Sequence, residues 1–330
     1  MPKNTCSART ALLLALLTSV SLAFGADFGV AAASAKTHRS KTHHTHRHQI
    51  VRADWHYHWA WTDTRFSAKK HTVKKATSKK VATKKAAPTA TPAQANSLRP
   101  AGVPGNWNLV LNSDFNGSSL NSSVWRTGWF GSGVTVPVNS YENDCYSPSN
   151  VTFPGDGSMH LNVTNSSSTC GGKTRQYTGS LVSTNPNDGR SSGGFQYTYG
   201  VLEARVYVPA DGTRIANWPA VWADGQSWPN TGEDDLMEGL NGQACFHFHD
   251  VLGGPGNCDS KVTPGWHTFA SDWQPGSVTY YYDGVKVGSI TTGITSAPMY
   301  IILDNTVYPG ESDITKADSM DVSYVRVWQD

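Results

Sequence analysis

Basic side chains are scarce through most of this chain. Residues 101–330 hold ten Lys and Arg against 22 Asp and Glu. The first hundred residues invert the ratio, 17 against three, so the net charge of +2 conceals a basic segment joined to an acidic one. That split excludes an evenly polycationic protein and confines any polyanion-binding surface to the N-terminal third. Cysteine is scarce as well, five in 330 residues, and no two are spaced Cys-x-x-Cys, so the usual structural zinc spacing is missing. The one long apolar run, Ala11 to Ala26, falls short of the ~20 residues that span a bilayer as a helix. Residues 101–330 also lack long helical periods, which argues against a bundle or a βαβ repeat.

The N-terminal third divides in two. Residues 1–35 read as a secretory signal: Lys3 and Arg9 precede the apolar run, Asp27 ends it, and Ala33-Ser34-Ala35 offers a cleavage site. Residues 36–100 read as a disordered tail. Its Lys pairs recur every five residues from Lys69-Lys70 to Lys84-Lys85, and a plain linker from Ala86 to Pro100 follows. Such a tail either spaces the domain from its surroundings or binds a polyanion such as an anionic cell-wall polymer, with no specific nucleic-acid site. Eight of the twelve histidines lie in it, among them His43, His44, His46 and His48. Without cysteines or a scaffold they make no defined metal site.

From Trp107 the pattern becomes short alternating strands broken by Gly, Asn and Pro. Segments such as Ser158 to Val163, Tyr199 to Val206, Ala244 to Asp250, Trp266 to Trp273, Val278 to Tyr282, Tyr300 to Val307 and Val322 to Trp328 fit strands. Regularly spaced short strands imply an all-β domain of two packed antiparallel sheets over residues 101–330. Cys145, Cys170, Cys245 and Cys258 remain once the signal is removed, and three pairings are open. Local pairing, Cys145 with Cys170 and Cys245 with Cys258, closes short loops and is the expectation.

The most informative stretch is Gly232-Glu233-Asp234-Asp235-Leu236-Met237-Glu238-Gly239, which packs four acids into six positions with no Lys or Arg among them. On a strand, Glu233 and Asp235 share a face, whereas Glu238 falls on the other. A single β-bulge returns Glu238 to the first face and lines three carboxyls on one surface. Crowded carboxyls raise at least one pKa, so one can stay protonated near neutral pH.

This stretch resembles the Glu-x-Asp-x-x-Glu signature of glycoside hydrolase family 16. Its flanks are similar too: Asn217-Trp218-Pro219-Ala220-Val221-Trp222, Trp228-Pro229, Phe246-His247-Phe248-His249 and Tyr324-Val325-Arg326-Val327-Trp328. The resemblance runs from about Trp107 to Trp328. It implies a β-jelly roll with a concave substrate cleft and a retaining hydrolase in which Glu233 is the nucleophile, Glu238 the acid/base and Asp235 the residue between them. It also implies that Trp218, Trp222 and Trp228 offer ring faces to sugars, that His247 lies near the acid/base, and that Glu142 and Arg205 face the cleft. The longer, bulged signature is the laminarinase-like form, so the expected activity is an endo-β-1,3 (or mixed β-1,3/1,4) glucanase, secreted, possessing no cofactor and working as a monomer on a polysaccharide. Agarases and carrageenases share that form, so a galactan is the alternative substrate. Transglycosylation, or a non-catalytic glycan-binding role, is the further alternative.

Two departures stand out. Asp234 replaces the family's usual aliphatic residue and should point into the sandwich, where a lone carboxylate demands a partner or water. The family's calcium positions read Ser113-Asp114-Phe115 and Val322-Ser323-Tyr324, with Ser323 in place of an acid, which argues against a calcium site.

Overall fold

The structure, a computed structural model, describes residues 98–307 and 319–330. The expected signal segment and the basic tail up to residue 97 lie outside the described residues. Among the described residues, strands are the only extended elements, and the one helical element is a single 3-10 turn at Pro148–Asn150.

The strands form two main sheets, nearly all antiparallel. The back sheet runs in the order Val285–Ile290, Ser277–Tyr282, Gly265–Gln274, Gly200–Val208, Ser319–Gln329, Met159–Asn162 and Val151–Thr152, with Asn108–Asp114 also paired to Ser319–Gln329. The cleft sheet runs in the order Gly256–Asp259, Gln243–His249, Glu233–Leu240, Trp218–Gly225, Met299–Thr306, Tyr177–Ser183 and Arg126–Thr127. Asp144–Tyr146 adds to Tyr177–Ser183 as a parallel pair, and Gln196–Tyr197 adds to Met299–Thr306. Two packed antiparallel sheets are the sandwich that the strand spacing implies.

Alternation decides what fills it. In Gly200–Val208, Leu202, Ala204, Val206 and Val208 enter the core between the sheets, and Val221, Ala223, Ile301 and Leu303 meet them from the cleft sheet. Burial of each of these Leu, Ile and Val side chains contributes about 1.5–3 kcal/mol, and the two alanines less. The opposite face of the cleft sheet is apolar as well. There Ala220, Trp222, Tyr300 and Ile302 cluster with Tyr146 and Leu181, and Trp129 and Val138 pack on the group. The signature strand, Glu233–Leu240, is hydrogen-bonded directly to one of these strands, Trp218–Gly225, and gives Leu236 and Met237 to the core between the sheets.

The four cysteines of residues 101–330 pair as Cys145–Cys170 and Cys245–Cys258. The second bridge joins Gln243–His249 to Gly256–Asp259, the outermost pair of the cleft sheet. Asp234 points into the sandwich and is fully buried. Its partners are the Ser271 hydroxyl, which donates to Oδ2 at 2.6 Å, and the Tyr280 hydroxyl, 2.8 Å from Oδ1 and 2.8 Å from the His247 carbonyl oxygen. Where the family's calcium would sit, the Asp114 carboxylate is taken by the Arg326 guanidinium at 2.8 Å and by the Asn112 amide at 3.0 Å. A cationic side chain beside one acid and a serine is a poor fit for Ca²⁺, which needs six or more oxygens.

Candidate active site

The signature strand carries the bulge. Against Trp218–Gly225, Val221 pairs with Met237 and Trp222 with Asp235, which leaves Leu236 as the extra residue. Against Gln243–His249, Asp235 pairs with His247 and Glu238 with Cys245, the same one-residue excess. Leu236 and Met237 are neighbours in sequence, yet both lie in the core. Glu233, Asp235 and Glu238 therefore share the outward face and line one cleft with Trp218, Trp222, Asn139, Glu142, Asp304 and Thr306.

Glu238 is engaged through both oxygens. The Trp218 indole N–H donates to Oε1 at 3.2 Å, and His247 Nδ1 lies 2.6 Å from Oε2. His249 Nε2 stands 3.3 Å from Asp235 Oδ2, an oxygen that is buried and has no hydrogen-bond partner. Phe246 and Phe248, which alternate with the two histidines, fill the core. Two glycines make room for the imidazoles: a side chain at Gly254 would collide with the His249 ring, and one at Gly256 with the His247 ring.

Burial dominates the electrostatics. It pushes the Glu233 carboxyl well above the ordinary range, and the negative charge of Asp235 adds to the push while His249 opposes it. Asp235 is raised by burial and then by Glu238. Asp304 is raised by burial and by Glu142, although the Trp222 indole N–H donates to it at 2.6 Å. Asp224, whose Oδ2 accepts from the Tyr300 hydroxyl at 3.0 Å, is raised to about 7 by burial. An ionised carboxylate in this group disfavours ionisation of its neighbours.

The remaining expectations divide. Trp222 lines the cleft, nearly buried, with Trp129 stacked on it at 5.9 Å and an interplanar angle of 28°. Glu142 lines the cleft too, but its carboxyl is held from within, accepting from the Val138 and Asn139 amides and from the Tyr146 hydroxyl at 2.6 Å; burial raises it to about 7. It anchors the loop that carries Val138 and Asn139. Arg205 is a correction. It stands on the back sheet, opposite in parity to Ala204 and Val206, with its guanidinium 5.5 Å from the Trp266 ring. The side chain of an alternating strand cannot reach a cleft on the far sheet. Trp228 is about half exposed in the turn before the signature strand and is not among the cleft-lining residues. Trp129, Asp304 and Asp224 were not singled out from sequence. Asp304 was legible in principle: once Ile301 and Leu303 are assigned inward, Tyr300, Ile302 and Asp304 must face out.

No family model matches the chain. Among curated proteins, it is 29% identical over 171 residues to the keratan-sulfate endo-1,4-β-galactosidase of Sphingobacterium multivorum, covering 42% of this chain and 39% of that protein. It is 27% identical over 198 residues to a β-glucanase of Paenibacillus polymyxa, covering 57% and 72%. The match thus spans about two fifths of the first relative's length. Among solved structures, the endo-β-1,3-glucanase of Pyrococcus furiosus superposes with a TM-score of 0.55 at 24% identity, over 68% of this chain and 94% of that one. A non-specific endo-β-1,3(4)-glucanase of family 16, crystallised with a β-glucan oligosaccharide at its active site, gives 0.55 at 22% over 70% and 98%. The fold is that of glycoside hydrolase family 16. In sequence the chain is similar to proteins named as β-glucanases and to one named as an endo-β-galactosidase.

Proposed function

We propose that the chain is a secreted, endo-acting β-glucanase that cleaves β-1,3 or mixed β-1,3/1,4 glucans with retention. The observation that carries this reading is the bulge, which sets Glu233 and Glu238 on one face of a Trp-lined cleft with Asp235 between them. In the first step a Glu233 carboxylate oxygen attacks the anomeric carbon. The bond to the leaving sugar breaks, and Glu238 gives its proton to the departing oxygen. In the second step Glu238 takes a proton from water, the water oxygen attacks the same carbon, and the Glu233 ester bond breaks. The residues return to their starting state. His247 and the Trp218 indole hold the Glu238 carboxyl in one orientation, and Trp218 and Trp222 supply flat faces for sugar rings. Replacing water by a sugar hydroxyl in the second step would give transglycosylation through the same residues.

Secretion is supported by the pairing of all four cysteines in the described domain, a state typical of oxidising compartments, and by the signal-like residues 1–35. The basic tail would hold the enzyme on an anionic cell wall. A galactan is the second reading, favoured by the keratan-sulfate galactosidase relative. The test is reducing-sugar release from laminarin, barley β-glucan, agarose, carrageenan, keratan sulfate and xyloglucan, with Glu233→Gln in parallel. Release from laminarin or barley β-glucan that vanishes in the variant is the expected result. Release from a galactan alone moves the substrate, and no release from any of them sinks the hydrolase.

A further inference from the structure

Two histidines, His247 and His249, stand on the cleft face of Gln243–His249, paired with Asp235 and Glu233 of the neighbouring strand. Asp235, Glu238, His247 and His249 each offer one donor atom, and these atoms all lie within 4.8 Å of one another. We propose that these four residues form a transition-metal site, matched to Zn²⁺, that overlaps the proposed catalytic carboxylates and inhibits the enzyme when filled.

Three features support a built site. The donor set is two imidazoles and two carboxylates, the borderline-soft mixture that Zn²⁺ accepts in four-coordinate geometry at ~2.0–2.2 Å. Ligand atoms around such an ion stand about 3.3–3.5 Å apart, so small side-chain rotations close the cluster; His249 Nε2 and Asp235 Oδ2 are already 3.3 Å apart. Asp235 Oδ2 is buried beside His249 Nε2 and makes no hydrogen bond, so a ligand at this oxygen would satisfy a polar atom that is otherwise costly to bury. The ligands are also pre-positioned. Gly254 and Gly256 pack their backbones on the two imidazole rings, and the Cys245–Cys258 bridge ties the strand that carries both histidines to the edge strand Gly256–Asp259. Mg²⁺ and Ca²⁺ are poor matches, because two carboxylates and two imidazoles cannot give the all-oxygen shell they need. A bound ion would take the place of the proton between His247 and Glu238, leaving the leaving group without its acid.

The binding half of this inference stands apart from the glucanase reading, and the inhibition half rests on it. The test uses the full-length protein, stripped with EDTA and desalted, with the midpoint of thermal unfolding read by near-ultraviolet circular dichroism as Zn²⁺ is titrated. Wild type should gain several degrees at a Zn²⁺ concentration ~100-fold above its Kd. His249→Gln and Asp235→Asn, two independent variants in case one fails to fold, should need at least tenfold more Zn²⁺ for the same gain. The tail's eight histidines are common to all three proteins, so any binding there cancels. Mg²⁺ and Ca²⁺ should produce no comparable shift. In the activity arm, Zn²⁺ should suppress sugar release by wild type in the same concentration range. An equal shift in wild type and variants, or none in wild type, overturns the site. A Zn²⁺ shift confined to wild type without any polysaccharide cleavage would keep the site and sink the glucanase.

Discussion

Glu238 has both carboxyl oxygens engaged by Trp218 and His247 before any sugar arrives, whereas Glu233 is raised chiefly by burial and like charge. The two should therefore fail differently. Glu233→Gln removes the proposed nucleophile and should lower kcat on laminarin by at least ~10³-fold. Glu238→Gln should lose polysaccharide cleavage to a similar degree. With an aryl glycoside, whose leaving group needs no acid, it should still release a burst of phenol, followed by slow turnover because water lacks its base. Stopped-flow absorbance separates the two outcomes, and a burst in Glu233→Gln instead would reverse the roles. Away from the chemistry, Tyr280→Phe removes the hydroxyl that faces both Asp234 and the His247 carbonyl. A buried carboxylate losing one of two partners should cost about 1–3 kcal/mol, read as a lower urea midpoint with an unchanged slope. At this scale the sequence was readable where a residue breaks a pattern. Asp234 in an aliphatic position announced its need for a partner, but Ser271 and Tyr280 stand on other strands, and nothing local names them.

The bulge is an element-scale device, and deleting residues tests it. Removing Leu236 makes Glu233 and Glu238 four apart, so a regular strand keeps both on the cleft face. That variant should retain measurable cleavage, within about a hundredfold of wild type, while losing about 2–5 kcal/mol through the lost core leucine. Inserting one Ala between Leu236 and Met237 should abolish cleavage, because it either separates the two glutamates or turns one away. Sugar release and thermal midpoints of both variants check this. Equal loss in the two would mean that the bulge matters beyond its parity. Parity was legible in the sequence, as the alternation of Phe246, His247, Phe248 and His249 shows. Partner choice was less so. Tyr177–Ser183 is buried along nearly its whole length and therefore shows no alternation to find. Arg205 could be assigned a parity but not a sheet, because its strand pairs with Gly265–Gln274 and Ser319–Gln329, both distant in sequence.

For the molecule as a whole, the lack of basic residues beyond residue 100 has a consequence that composition only hints at. Acids are buried beside one another and beside hydroxyl and indole donors, with few cations to balance them. Burial raises Glu142 to about 7, Asp224 to about 7, Asp144 to about 6 and Asp234 to about 6. Each of these groups is raised above its unfolded value near 4, so the folded state binds more protons than the unfolded chain across roughly pH 4–7. Their contribution is therefore complete below about pH 4 and is lost as pH rises through 6 and 7. Asp188, held by Arg190 and Arg126, has a lowered pKa and loses its contribution only in more acidic solution. The thermal midpoint should accordingly peak in mildly acidic buffer and fall between pH 5 and pH 8. The loss should be on the order of a few kcal/mol, or about 5–10 °C for a domain of this size. Calorimetry of the full-length protein across that range checks it, and Asp224→Asn, neutral at every pH, should flatten part of the slope. A midpoint that rises from pH 5 to pH 8 would mean that these carboxyls are ionised and partnered in the folded protein, and that the cleft holds its charge by some cation rather than by protons.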